Sequence, residues 1–290
     1  MGLGTKFNLV LFGMFAAGLA VAAMLTYHLL QDFAREAVLG RARVMMDTAQ
    51  AVRSYTATEI RPLLADRMDD TFLPHTVPSF AAQENLRRVV EDYPDFSYKE
   101  AALNPTNPVD RATDWEADII NLFRKDRDQE ELVTIRETPT GQALVLARPL
   151  VVNDESCLTC HSTVQAAPGS MLAVYGPSNG FGWELNEVIG AQVVSVPMSV
   201  PLQRAWTTFL IVIGTLAAVF LVVAVLLNIF LRVLVIRPVV RLSNMAVEVS
   251  MGNMDLPEVK HDSRDEIGAL SAAFARMRRS LETALNMLKE

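Results

Sequence analysis

Apolar residues along this chain form two uninterrupted blocks, a mixed and partly alternating segment between them, and a seven-residue rhythm after the second block. The first block, residues 7–30, carries no formal charge after Lys6, and the second, 205–231, carries none between Arg204 and Arg232. Each is long enough to cross the roughly 30 Å hydrocarbon core of a bilayer as a helix. Small residues at 16–23 would also suit a signal peptide. The block is long for one and no clear cleavage site follows, so it reads as an uncleaved signal-anchor.

Between the blocks, residues 32–69 continue as a helix, with Ala37, Val44, Met45, Ala51, Val52, Ile60 and Leu64 near helical spacing and Pro62 as a kink or stop. A proline-punctuated stretch at 72–78 precedes a helix over 80–91, capped by Ser79 with Gln83 near the reciprocal position. Strands are expected at 98–103, 132–137, 142–152 and 190–198, the second and third joined by a hairpin turn at Thr138-Pro139-Thr140-Gly141. A helix over 114–127, capped by Thr113 or Asp114, should bury Trp115, Ile119, Leu122 and Phe123. The expected fold class is α+β, an antiparallel-sheet domain between two transmembrane helices. The domains are then 7–30, 31–204, 205–236 and 237–290.

After the second block, Ile267, Leu270, Phe274, Met277, Leu281, Ala284 and Leu288 alternate three and four apart, an a/d seam. Val235, Leu242, Met245 and Val249 keep a similar stripe upstream of a break running from Gly252 to Pro257. Two short amphipathic helices cannot bury such stripes alone; a homodimer would make them a parallel four-helix bundle. Helices lying on the membrane surface are the alternative, disfavoured by the narrow seam and balanced charge.

Charge sets the orientation. Arg232, Arg237 and Arg241 follow the second block and Lys6 precedes the first, which places both termini in the cytoplasm of a two-pass inner-membrane protein and 31–204 outside. Of the formal net charge of −7, residues 237–290 contribute nothing, with eight basic and eight acidic groups, whereas 31–204 hold 16 basic against 25 acidic. Such an external domain is a poor ligand for nucleic acid or anionic lipid.

The two cysteines of the chain lie in one pentapeptide, Cys157-Leu158-Thr159-Cys160-His161. C-x-x-C-H is the attachment signature of c-type haem: each sulfur forms a thioether to a vinyl group and the histidine ligates the iron. C-x-x-C alone would be ambiguous between zinc, disulfide and dithiol chemistry. A zinc site would need two further ligands, and no second Cys or His pair lies nearby; a chance match or a small disulfide loop is the bland alternative. The Gly- and Pro-rich loop at 167–183 reads either as a cover over the haem or as a surface loop whose Phe181 and Trp183 plug into the core.

Several strings together resemble a family of bacterial c-type-haem domains with a PAS-like fold, of the cyanobacterial redox-sensor type, over residues 35–200. They are Arg53-Ser54-Tyr55-Thr56, Arg61-Pro62-Leu63, Val77-Pro78, the stretch from Glu100 to Asn104-Pro105-Thr106-Asn107-Pro108, the pentapeptide itself, Gly180-Phe181-Gly182-Trp183 and Val196-Pro197-Met198. The resemblance implies one covalent haem c on Cys157 and Cys160, with His161 as proximal ligand. The family's second axial ligand, a cysteine on the N-terminal helix, has no counterpart because this chain has no third cysteine. The donors left are His75, Met45, Met46, Met171, Met198 and Tyr55, with His75 the best histidine, and an open or otherwise filled second position is the alternative, an open one admitting a small gas. His28 reads as interfacial and His261 as cytoplasmic. Downstream, Arg237-Pro238 and Asp265-Glu266-Ile267-Gly268, with Leu270, Phe274 and Met277, resemble a HAMP linker, which relays conformational change from a transmembrane helix to an output module.

The expectation is a transmembrane haem-based receptor that senses redox state or a small ligand. It would signal as a homodimer, through the HAMP helices, to a cytoplasmic kinase or chemotaxis-type partner, because no output region follows within the sequence. A membrane-anchored c-type cytochrome that passes electrons is the second expectation. No paired carboxylates or nucleophile–base constellation stands near the motif, so no enzyme is expected.

Overall fold

Residues 2–68, 70–139, 141–253 and 265–287 are described by the computed structural model. They divide into two units, His28–Thr207 and Met1–Tyr27 with Thr208–Glu290.

The unit His28–Thr207 is entered by helix α1 (Leu3–Tyr55), a π-helical turn at Thr56–Ile60 and the short α2 (Arg61–Leu64). Pro62 does not stop the helix. It has no N–H for the carbonyl four residues back, and the wider π turn just before it absorbs the mismatch. Next come α3 (Pro78–Glu91), β1 (Ser97–Ala102) and α4 (Asp114–Lys125). Helix α3 begins earlier than expected: Val77 takes the N-cap, without a side-chain cap, and Pro78 sits in the first turn, where a missing N–H costs nothing. Helix α4 is capped as expected by Thr113, whose backbone N–H donates to Glu116 Oε2 at 2.8 Å in a capping box.

The remaining elements of this unit are β2 (Leu132–Thr138), β3 (Gly141–Val151), α5 (Leu158–His161), α6 (Gly169–Tyr175) and β4 (Val188–Pro197). The four strands form one antiparallel sheet in the order β1-β4-β3-β2. Alternate residues of β3 and β4 serve opposite faces. Leu144, Leu146, Val194 and Val196 pack under Val38, Ala42 and Met46 of α1. Val145, Ala147, Ala191 and Val193 pack over Ile119, Ile120 and Phe123 of α4. The register of α4 corrects one expectation: Leu122 is 41% exposed and Ile120, at 0%, fills the core instead.

In the other unit, the start of α1 runs antiparallel beside α7 (Ser199–Phe230), with Phe15 stacked on Phe220 at 4.7 Å and Tyr27 edge-on to Phe209 at 5.9 Å. Both helices are long and apolar enough to cross a membrane. A second π-helical stretch, Leu231–Ile236, again directly precedes an Arg-Pro pair, at the start of α8 (Arg237–Ser250), and α9 (Glu266–Met287) follows. Leu242 and Val249 of α8 are buried, while Leu270, Met277 and Leu281 of the α9 seam stay between 42% and 50% exposed. Beyond Asn253, the expected connector lies outside the described residues, as do His261 and Leu288.

Candidate functional site

A 33-residue excursion, 153–185, leaves the sheet between β3 and β4. Its base is closed by Val152, whose N–H donates to the Glu187 carbonyl at 3.0 Å and whose own carbonyl accepts from Asn186 N–H at 2.7 Å. Asp154 caps a 3-10 turn at Glu155–Cys157 by accepting from Ser156 N–H at 2.8 Å, and α5 follows at once. Cys157, Cys160 and His161 thus come from one tight helical turn, both cysteines as half-buried free thiols.

His161 is held on three sides. Its Nδ1 donates to the Gly180 carbonyl at 2.7 Å; because a carbonyl only accepts, this fixes the proton on Nδ1 and leaves the Nε2 lone pair free. Its ring stacks on Trp183 with centroids 3.9 Å apart and planes at 15°. Thr106 Oγ1 stands 3.4 Å from the same Nδ1. The loop folds back along the motif, Trp183 N–H donating to His161 O at 3.2 Å and Gly182 N–H to Ser162 O at 2.9 Å. Trp183, expected either to cover the haem or to plug into the core, lies on the imidazole of His161 and is absent from the sheet core clusters.

Burial pushes the His161 imidazole down, towards the neutral form that ligates metals, with the Gly180 hydrogen bond opposing. Burial pushes both thiols up; Asp154 adds to this at Cys157, and Arg61 works against it at both. Thiols kept protonated are poor dithiol redox catalysts, which depend on a depressed thiolate. Among the described residues, no three His, Cys, Asp or Glu side chains converge on a metal-sized site. The donor set therefore fits covalent haem: two unpaired thiols three residues apart and an adjacent neutral imidazole with Nε2 available.

The other expected donors scatter. His75 lies in a 3-10 turn at Pro74–Thr76, exposed, with its ring edge-on to Phe80 at 5.3 Å. Met46 and Met198 are buried between α1 and the sheet, Met45 lies at the edge of that cluster, and Tyr55 is 59% exposed. Met171 is buried on α6, a helix unforeseen in the Gly- and Pro-rich loop.

Residue-by-residue reading missed Arg61, Thr106 and Gly180 as parts of the site. Arg61 Nη1 donates to Ser156 Oγ at 3.1 Å and Nη2 to Ser156 O at 3.0 Å, tying the end of the long helix to the attachment turn. Beside it, Arg53 pairs with the buried Glu100, which also accepts from Tyr98 Oη at 2.8 Å, while Gln192 Nε2 donates to Tyr98 Oη at 2.8 Å. All three missed residues lie in strings that carry the family resemblance.

A HAMP domain model matches residues 230–283, so α8 and α9 lie in a HAMP domain. No curated protein matches the chain. Among solved structures, the cyanobacterial haem protein Tll0287 is 17% identical, with 55% of this chain and 94% of that chain covered and a TM-score of 0.41. The Tll0287-like family model matches residues 30–197, more than half of the chain, and the chain belongs to that family.

Proposed function

We propose that the chain is a transmembrane haem-based receptor rather than an enzyme. In this reading one haem c is held by Cys157 and Cys160 through thioethers and by His161 through Nε2. A HAMP domain downstream carries the signal to an output module. The observation that carries the proposal is the His161 Nδ1–Gly180 contact of 2.7 Å, which leaves Nε2 free beside two unpaired thiols. Cys157 and Cys160 would hold the group by thioether bonds, for which addition of each S–H across a vinyl double bond would need no leaving group and no oxidant. The bound group supplies a one-electron iron centre whose charge or ligation changes with the signal.

The chain's own residues supply the rest. Trp183 and the loop 176–183 cover the imidazole, and Arg61 links Ser156, beside Cys157, to α2. A displacement of the attachment turn thereby reaches the helical run that begins in the first candidate span. With Lys6 and Arg237 on the cytoplasmic side, the haem domain is periplasmic, and two copies complete the HAMP bundle. His75, whose exposed ring lies edge-on to Phe80, would be the histidine candidate for a second haem ligand.

The test uses the full chain produced in a host that matures c-type cytochromes. A haem-staining band that survives denaturing electrophoresis, and an alkaline pyridine haemochrome spectrum of the two-thioether type, are expected; a colourless protein sinks the proposal. A Phe274→Asp variant separates sensing from electron transfer. Loss of the cellular response with the haem spectrum intact supports the receptor, and an unchanged response leaves the membrane-anchored cytochrome.

A further inference from the structure

On the far side of α1 from the sheet lies a second apolar stripe that nothing among the described residues covers. Val38, Ala42, Met46 and Ala49 face inward at 0% exposure. At roughly 100° per residue, Phe33, Ala37, Gly40, Val44 and Ala51 fall on the opposite side of the helix. All five are exposed, Phe33 at 62% and Val44 at 66%. Their spacing of four, three, four and seven is that of a heptad, with Ala37, Val44 and Ala51 at a and Phe33 and Gly40 at d. Asp47 takes the next d position, its charge already held by Arg148 at 2.7 Å.

We infer that this stripe is a parallel homodimer seam outside the membrane, occupied by the same stripe of a second copy. The inference rests on the dimeric receptor reading above, in which the α9 seam residues left exposed among the described residues pair with those of a second copy. A pair held there keeps its external domains at an effective concentration on the order of millimolar. Charge complementarity selects the parallel arrangement. Glu36 falls at g and Arg41 at the following e, the positions that meet across a parallel pair. Among the described residues neither has an ion-pair partner in its own chain. Small side chains at 37, 40 and 51 let the two backbones approach closely.

Single-cysteine variants of the full chain in membranes test this with a short bis-maleimide, the parent chain setting the background from Cys157 and Cys160. Ala37→Cys, Gly40→Cys, Val44→Cys and Ala51→Cys should cross-link several-fold more than the exposed off-seam variants Asp32→Cys and Arg35→Cys, which fall at c and f. Glu36→Lys should weaken the Val44→Cys cross-link, and adding Arg41→Glu should restore it. Flat or absent cross-linking along α1 overturns the seam, even where Met277→Cys cross-links through α9. A silent Met277→Cys counts against the HAMP dimer alone, since the seam is judged on the α1 pattern.

Discussion

Gly180 sits opposite Thr106 with no room for a side chain: a Cβ built on Gly180 would lie 2.0 Å from Thr106 Oγ1 and 2.9 Å from its Cα, and the residue has φ +83°. Its carbonyl is the one that holds His161 Nδ1. Gly180→Ala therefore meets both a backbone clash and the left-handed penalty, about 1–2 kcal/mol for an ordinary residue, and must shift the carbonyl. The expected outcome is a protein that keeps covalently bound haem but holds the imidazole less uniformly. Optical and EPR spectra check this, and spectra identical to the parent would mean that Gly180 does not orient the imidazole.

Cys157 and Cys160 should be separable by chemistry. Cys157→Ser or Cys160→Ser each leaves one thioether, so the pyridine haemochrome α band should move to longer wavelength while haem stain persists on a denaturing gel. The double variant should lose the stain altogether. His161→Ala should retain the stain and lose the imidazole nitrogen, with an altered optical spectrum that exogenous imidazole returns towards that of the parent.

Much of this arrangement is legible in the sequence because period and spacing carry it. Charge-free blocks gave the two long apolar helices, and β-branched alternation gave β4, although the strand runs on to Val188. Thr113, one of two cap candidates, marked the start of α4, and the pairing with Glu116 that makes it the cap came from the structure. What stayed hidden depends on contacts distant in sequence. Arg61 and Ser156 are 95 residues apart, and Thr106 and His161 are 55 apart. No local pattern announces that they meet. The π turns were missed for a different reason: Pro62 signalled a helix break, and only tertiary packing decides between stopping and widening one turn. Leu122 misled because its type suits a core, while the 116, 119, 120 and 123 face of α4 excludes it.

The Arg53–Glu100 pair joins α1 to β1 with Glu100 almost fully buried, its side chain only 2% exposed, and Arg53 at 24%. Removing one partner strands a charge in an apolar setting, a cost of about 3–5 kcal/mol. Arg53→Met should thus destabilise far more than Glu100→Gln, which keeps an acceptor for Tyr98 Oη and removes the charge. Arg53→Met combined with Glu100→Gln should recover much of the loss, since no unpaired carboxylate remains. Urea unfolding followed by tryptophan fluorescence measures all three; additive effects in the double variant would show that the pair is not coupled.

Asp110 gives the pH dependence a definite sign. Burial raises its carboxyl above the ordinary aspartate value, with the Gln83 side-chain hydrogen bond pulling the other way. A carboxyl whose folded pKa exceeds its unfolded one binds protons more readily when folded. Its contribution to stability is therefore full below the unfolded pKa and is lost as pH rises through the folded pKa. At neutral pH the folded chain carries a charge it would hold more easily in water. Asp110→Asn removes that charge while keeping an acceptor for Gln83. The thermal midpoint of the variant should lie above the parent at about pH 7 and converge with it near about pH 3, below the ordinary aspartate range. A variant less stable than the parent across that whole range would show that the Asp110 carboxylate is stabilised by its neighbours and that burial is the smaller effect.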